Sequence, residues 1–300
     1  MYLEARHVEA RHSSASYIKP KTLDDALALL AKGNTQILSG GTDFYPALGD
    51  RVVRETVVDI SGLGELRGVS SDAGHFRIGG LTTWSEIIRA PLPRCFDALK
   101  GAAREVGSVQ IQNRGTVAGN LCNASPAADG VPPLLALDAQ VELASQAGVR
   151  TTPLVDFIVG NRKTQRKPAE VLTAVLIPRG LEDAAAAFLK LGARRYLVIS
   201  ISMVAAVLRV GRMDNDPKAG RQILQARVAV GSCSAVARRL PALERDLVGV
   251  SVADGLGRVV RPEHLAPLSP IDDVRATAEY RMDASLHLVQ RALNSCAENG

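Results

Sequence analysis

Two stretches of this chain carry residue types that can hold a phosphate-bearing ligand. The first is Ile37-Leu-Ser-Gly-Gly-Thr-Asp43. Two glycines directly after an apolar strand let the backbone turn sharply and approach a bound group closely. The N–H groups of such a turn can converge on one anion, and the Thr42 hydroxyl adds a donor. A strand followed by Gly-Gly is also an ordinary turn, so this stretch does not decide the matter alone. The second is Arg114-Gly-Thr-Val-Ala-Gly-Asn-Leu-Cys-Asn-Ala-Ser-Pro-Ala-Ala-Asp129. Gly115, Ala118, Gly119 and Ala124 are small enough for close backbone approach. Thr116, Asn120, Asn123 and Ser125 supply neutral donors and acceptors, and Asp129 can accept from ribose hydroxyls. A polar surface loop would have the same composition. Two such loops, each leaving an expected element, favour nucleotide binding more than either does singly. Neither is a Rossmann G-x-G-x-x-G or a Walker A sequence.

Other chemistry is hard to find. G-x-S-x-G and H-E-x-x-H are absent, and no cysteine has a convincing histidine partner, so no catalytic residue is assigned. Cys95, Cys122, Cys233 and Cys296 are far apart and form no C-x-x-C pair. Iron–sulfur and zinc sites need clustered thiolates, and the five histidines also lack ligand spacing, so no metal is expected on this chain. A reduced, cytoplasmic compartment fits these cysteines best.

The elements that must position the loops can be read from periodicity and caps. Thr22 with Asp25 opens a helix to about Lys32, whose apolar face is Leu23, Ala26, Leu27 and Leu30. Strands are expected at Gln36 to Leu38, Val57 to Ile60 and Phe76 to Ile78. Thr83 and Glu86 cap a further helix, and another spans about Cys95 to Val106. The stretch Gly107 to Asp129 has weak periodicity and is expected to lack regular structure, which in a compact domain marks a functional segment. Val131 to Leu137 is a short apolar piece, and Gln140 to Ala144 and Val171 to Ile177 are strands. After Pro178 the pattern changes to strands at Ala187 to Leu191, Ile199 to Val210 and Leu224 to Val230, with a loop from Gly211 to Arg221. Ser269-Pro-Ile-Asp272 is expected to start a C-terminal helix carrying Leu288, Ala292 and Cys296. The reading is an extension over 1–15, partly disordered and without a secretory signal, then domains over 16–180 and 181–300.

The chain has 300 residues, 46% of them apolar, and a net charge of +5. The longest apolar-leaning stretch, Leu197 to Leu208, is far short of the roughly 20 residues that a membrane helix needs. One dense basic run, Asn161 to Lys167, invites a nucleic-acid reading. Five Phe, five Tyr and one Trp offer no stacking platform beside it, so a solvated loop or a face for an acidic partner is the better account.

The two loops resemble the flavin-binding domain of the xanthine dehydrogenase and carbon monoxide dehydrogenase families, in which two glycine-rich loops hold the FAD pyrophosphate. The likeness extends through Val106 to Asp129, Asp59 in a V-D-[IL] strand, Arg77-Ile-Gly-Gly80, Lys190 to Arg195, and Ser269 to Arg281. It thus covers nearly the whole chain after about Ser16. The resemblance implies an α+β architecture: a vanillyl-alcohol-oxidase-like (PCMH-type) FAD-binding domain, then a smaller α+β domain with an antiparallel sheet and helices, as in the carbon monoxide dehydrogenase flavoprotein.

Position by position, it implies Gly40, Gly41 and Thr42 at the pyrophosphate, within a loop from Leu38 and Ser39 to Asp43. Thr116, Gly119 and Asn120 would face it, with Gly107, Gly115, Ala118, Cys122 and Asn123 counted with that second loop. Asp129 would bind ribose or stabilise its loop. Ile111 and Leu176 would border the adenine or isoalloxazine surface. Lys190 would lie near the flavin ring, or simply be a strand lysine snorkelling to water. Ala118 stands where the family usually has glycine, and Leu197 and Val198 replace an acidic pair of the animal enzymes. The cysteine-bearing insertion of the 4-hydroxybenzoyl-CoA reductase flavoprotein is absent.

In function, the resemblance implies an oxidoreductase component: the FAD-binding subunit of a molybdenum hydroxylase. It would take electrons from [2Fe–2S] clusters on a small partner subunit and pass them to NAD, quinone or oxygen. Substrate hydroxylation would occur at the molybdopterin of a large partner subunit, in a dimer of heterotrimers without nucleic acid or a membrane span. A self-sufficient flavin oxidase or reductase of the same fold is one alternative. A nucleotide-binding module without redox activity is the other.

Overall fold

The computed structural model describes residues 16–195, 197–212 and 220–299. The expectation for residues 1–15 lies outside them, as does most of the expected Gly211 to Arg221 loop.

The first glycine-rich loop is carried by a small parallel sheet. Thr35–Leu38 and Tyr17–Ile18 flank Thr56–Asp59, with Leu38 opposite Asp59. Helix Leu23–Leu30 covers it, with Ala26, Leu27 and Leu30 buried against Val58 and Ile60. Its cap is as expected: the Thr22 hydroxyl accepts from the Asp25 N–H at 3.1 Å.

A second, antiparallel sheet carries the other loop. Its order is Val69–Ser71, His75–Gly79, Val171–Pro178, Gln140–Ser145 and Gly148–Pro153. Thr83 and Glu86 form a complete capping box on the helix Trp84–Arg89. The stretch expected to lack regular structure instead forms two short helices, Val109–Arg114 and Val117–Asn123, capped by Ser108 and Thr116. Each has six or seven residues, too few for a periodic apolar face to show in the sequence.

The third sheet, Ala185–Leu191, Ser202–Gly211, Gln222–Gly231 and Arg238–Arg239, is antiparallel and covered on both sides. Ala186, Ala205, Val207 and Ala229 join the core built on Phe96, Leu99 and Leu134. Val204, Ala206, Leu208 and Val228 pack on the other face against Leu288, Val289, Ala292, Leu293 and Cys296. This double burial explains why its central strand reads as a continuous apolar run rather than an alternating one.

The C-terminal helix does not start at Ser269–Asp272. It spans Ala278–Asn299, and the preceding residues form a tight loop. Asp272 still caps it from a distance, accepting from the Ala278 N–H at 2.5 Å. Asp273 accepts from the Arg275 N–H at 2.8 Å and from the buried Arg281 guanidinium at 2.7 Å. The Arg275 N–H, with Arg275 and Arg281 side-chain bonds, holds the Asp273 carboxyl down at about 2. A folded-state value below the unfolded one near 3.8 gives stability that is present above pH 4 and lost as the pH falls toward 2. Asp273→Asn should therefore lower the urea midpoint at neutral pH, and the deficit should narrow between pH 4 and pH 2. A deficit independent of pH would contradict this role.

No helix among the described residues is long and apolar enough to cross a membrane, and no group of three or more metal-ligating side chains occurs among them.

Candidate functional site

The strand Thr35–Leu38 delivers Ser39-Gly40-Gly41-Thr42 directly against the backbone at Arg114 and Gly115. A Cβ on Gly40 would overlap the Arg114 carbonyl oxygen, so only glycine permits this approach. Gly41 has φ +77°, in the left-handed region, and a side chain there would also press on the Tyr45 ring at 2.8 Å. The two loops are tied by a hydrogen bond between the Ser39 and Thr116 hydroxyls at 3.3 Å.

The donors of the two loops are used differently. At the start of helix Val117–Asn123, Val117 and Ala118 donate to the carbonyls of Thr82 and Gly80, at 3.0 and 3.1 Å. Gly119 donates to the Thr116 hydroxyl at 3.0 Å. In the first loop, none of the turn and loop hydrogen bonds of the described residues uses the N–H of Gly40, Gly41, Thr42 or Asp43. The unused N–H donors therefore lie on the first loop, and the second approaches it closely as a facing wall.

Together the loops frame a cleft of about 410 Å³. Of the expected residues, Ser39, Gly40, Gly41, Thr42, Asp43, Ile111, Gly115, Thr116, Ala118, Gly119, Asn120, Cys122 and Asn123 line it. An adjoining cavity of about 540 Å³ is lined by Gly107, Ile111, Asn120 and Asp129, and by Leu197, Val198 and Ile199. Val106, Ile111 and Asn120 border both spaces. The combined volume suits an elongated cofactor. Asn120 bears a specific mark of a missing partner: its side-chain oxygen is buried with no hydrogen bond. Such an atom costs about 1–3 kcal/mol unless a ligand donor meets it. The glycine cradle, the unused N–H groups and this orphan oxygen all fit a phosphate-bearing cofactor with hydroxyl or ring N–H donors.

Four expected residues are placed otherwise. Leu176 lines neither cavity. A bulge between Leu172 and Ala174 shifts the register, turning Val175 and Ile177 into the core. Leu176 then shares the opposite face with its neighbours Arg77 and Gln140, beside the Arg77–Glu142 ion pair. Asp129 and Lys190 meet each other: Nζ lies 2.7 Å from Oδ2, and Ser200 donates to Oδ1 at 2.6 Å. Both carboxylate oxygens are thus engaged within the chain. The Lys190 ammonium is buried rather than snorkelling. Burial pushes the Asp129 carboxyl above the ordinary carboxylate range, opposed by the Lys190 charge and the Ser200 hydroxyl. Leu38 is buried beneath the first loop and lines neither space.

Several lining residues carried no motif signal. Trp84, Phe44, Val171 and Leu172 are apolar residues brought in by the fold. Arg166 belongs to the dense basic run, which was expected to be a solvated loop or a partner face, yet it borders the cleft.

Two family models divide the chain between them. The FAD binding domain in molybdopterin dehydrogenase matches residues 11–180. The chain belongs to this family. The C-terminal domain of the CO dehydrogenase flavoprotein matches residues 187–296. The family explains the architecture, an FAD-binding domain joined to a flavoprotein domain with an antiparallel sheet. A putative xanthine dehydrogenase FAD-binding subunit of Escherichia coli (strain K12) is 33% identical over 92% of each chain. The nicotinate dehydrogenase FAD-subunit of Eubacterium barkeri is 38% identical over 62% of this chain. That match takes in 65% of the relative's length, just under two thirds. A chain of carbon monoxide dehydrogenase from Hydrogenophaga pseudoflava superposes with a TM-score of 0.81 at 26% identity, over 94% of this chain and 97% of that one. The chain is thus an FAD-binding subunit of the xanthine and CO dehydrogenase type of molybdenum hydroxylase, an oxidoreductase component.

Proposed function

We propose that this chain is the electron outlet of a three-component molybdenum hydroxylase. Electrons arrive from [2Fe–2S] clusters on a small partner subunit, after a large subunit with molybdopterin has hydroxylated the substrate. They leave to NAD, a quinone or oxygen, in a cytoplasmic dimer of heterotrimers. Bound FAD supplies the step between one-electron donors and a two-electron acceptor, which no side chain of this protein can perform.

The chain's own residues bind, orient and exclude water. Gly40, Gly41 and Thr42 would direct their unused N–H groups at the FAD diphosphate, while Gly115 and Gly119 keep the facing wall close. The Asn120 oxygen would accept from a hydroxyl or ring N–H of the cofactor. Asp129, neutralised by Lys190 and hydrogen-bonded by Ser200, would brace the 114–129 segment rather than bind ribose. We place the division between the FAD-binding and C-terminal domains at 180/181. The un-engaged N–H row at Gly40–Asp43 carries the reading, on a cleft whose lining also includes Asn120 with its orphan side-chain oxygen.

The test is Gly41→Asp in the assembled complex. A carboxylate there would repel the diphosphate and collide with Tyr45. Substrate should still bleach the iron–sulfur clusters, while flavin content and acceptor reduction fall to background. Full flavin occupancy in this variant would overturn the loop assignment.

A further inference from the structure

The basic run Asn161–Lys167 supplies the turn and the second strand of a tight hairpin, with Lys163–Thr164 paired to Ile158–Gly160. Its turn is pinned to the end of helix Val117–Asn123. The Arg162 N–H donates to the Ala124 carbonyl at 2.8 Å, and its guanidinium to the Asn123 side-chain oxygen at 2.5 Å. The chain then returns along the cleft, and Arg166 borders it.

Arg166 is held in an unusual way. Its Nη1 donates to three backbone carbonyls, those of Lys167 at 3.1 Å, Pro168 at 3.2 Å and Glu170 at 2.8 Å. These acceptors fix the guanidinium while, among the described residues, no hydrogen bond uses its Nε or Nη2. The side chain is half-buried, so its ordering cost is already met before any ligand arrives. Among the described residues that line the cleft, it is the one cation and Asp43 the one anion. Its charge is felt within the cleft. Burial pushes the Cys122 thiol up to about 11, and the Arg166 field works against that shift.

We propose that Arg166 is a binding residue for the FAD diphosphate, supplying the positive charge that the neutral glycine-rich loops lack. The proposal rests on the FAD reading above. The phosphates carry the only formal charges of FAD, so a fixed cation in this cleft discriminates FAD from uncharged flavins. Guanidinium donors suit phosphate oxygens in both geometry and charge.

The experiment uses the full chain stripped of flavin and titrated with FAD or riboflavin at low and high ionic strength. Arg166→Ala should weaken FAD binding by about tenfold or more and flatten its salt dependence. Riboflavin affinity should not change, and Arg166→Lys should recover part of the loss. Lys163→Ala, which removes an exposed cation of the same hairpin, should bind FAD like the wild type. If the alanine variant does not fold, Arg166→Gln carries the test, because it removes the charge and keeps an amide donor. Wild-type FAD affinity in the folded Ala or Gln variant would overturn the proposal and leave the FAD reading standing. An equal loss for riboflavin would also overturn it, assigning Arg166 a purely structural role. A wild-type chain that cannot bind FAD would sink the FAD reading itself.

Discussion

Gly40→Ala is expected to strip the chain of its flavin while leaving it folded. The added methyl group would overlap the Arg114 carbonyl oxygen, which is backbone and cannot rotate aside. The first loop must then retreat from Gly115, and the Ser39–Thr116 bond that joins the loops must stretch or break. Overpacking of this kind costs about 1–3 kcal/mol in stability. Its effect on the ligand is larger, because the N–H row at Gly40–Asp43 moves as a unit. FAD affinity should fall by about a hundredfold, equivalent to roughly 2.8 kcal/mol. Gly64→Ala is the control, since a Cβ there meets nothing within 4 Å. Titration of both variants with FAD, beside their melting temperatures, checks the claim. Equal affinity in Gly40→Ala and Gly64→Ala would show that the close approach at Arg114 is not part of the site.

The second large effect is expected at the Lys190–Asp129 pair. Both side chains are nearly fully buried, at 7% and 8% exposure, so neither charge has water to fall back on. Lys190→Met would leave the Asp129 carboxylate buried with only the Ser200 hydroxyl, a change that typically costs about 3–5 kcal/mol. Burial already raises the Asp129 carboxyl, so the native ionised form carries a penalty that grows as the pH rises through its folded-state value. Without Lys190 that penalty is fully expressed. The Lys190→Met deficit should therefore shrink as the pH is lowered into the carboxylate range. The double variant Lys190→Met/Asp129→Asn should be less destabilised than the sum of the single variants, because it removes the stranded charge. Urea denaturation of the three proteins across pH measures this. A Lys190→Met deficit under about 1 kcal/mol, with additive behaviour in the double variant, would show that the pair is not coupled.

The two glycine-rich loops were legible in the sequence because their requirements are local. Gly40 and Gly41 directly after a strand, and small residues at Gly115 and Gly119, are each visible within a few positions, whereas the short helix that Thr116 caps was not. The capped helices at Thr22 and Thr83 were legible for the same reason. What sequence reading missed depends on contacts between distant positions. Asp129 and Lys190 are 61 residues apart, and nothing near either one signals that they neutralise each other. Leu176 was assigned to the ligand surface, but one bulge beside Leu172 reverses which face it occupies. Arg166 looked like part of a solvated run until the hairpin pinned at Arg162 turned it toward the cleft. The C-terminal helix begins after Ser269–Asp272 because the Asp273 loop binds Arg281 and spends several residues doing so. Cap-like residues in sequence thus mark a tight hydrogen-bonded loop as readily as a helix start.

In the proposed function, this chain holds FAD and receives electrons from partner subunits rather than from substrate directly. Its most direct test is the absorption spectrum of the purified full chain, followed by anaerobic addition of the complex's substrate with and without co-expressed partners. Flavin bands near one equivalent per chain are expected, bleached by substrate only when the partners are present. Bleaching of the isolated chain by substrate would place the chemistry on this subunit. A colourless chain that cannot be reconstituted with FAD would rule out a flavin relay here.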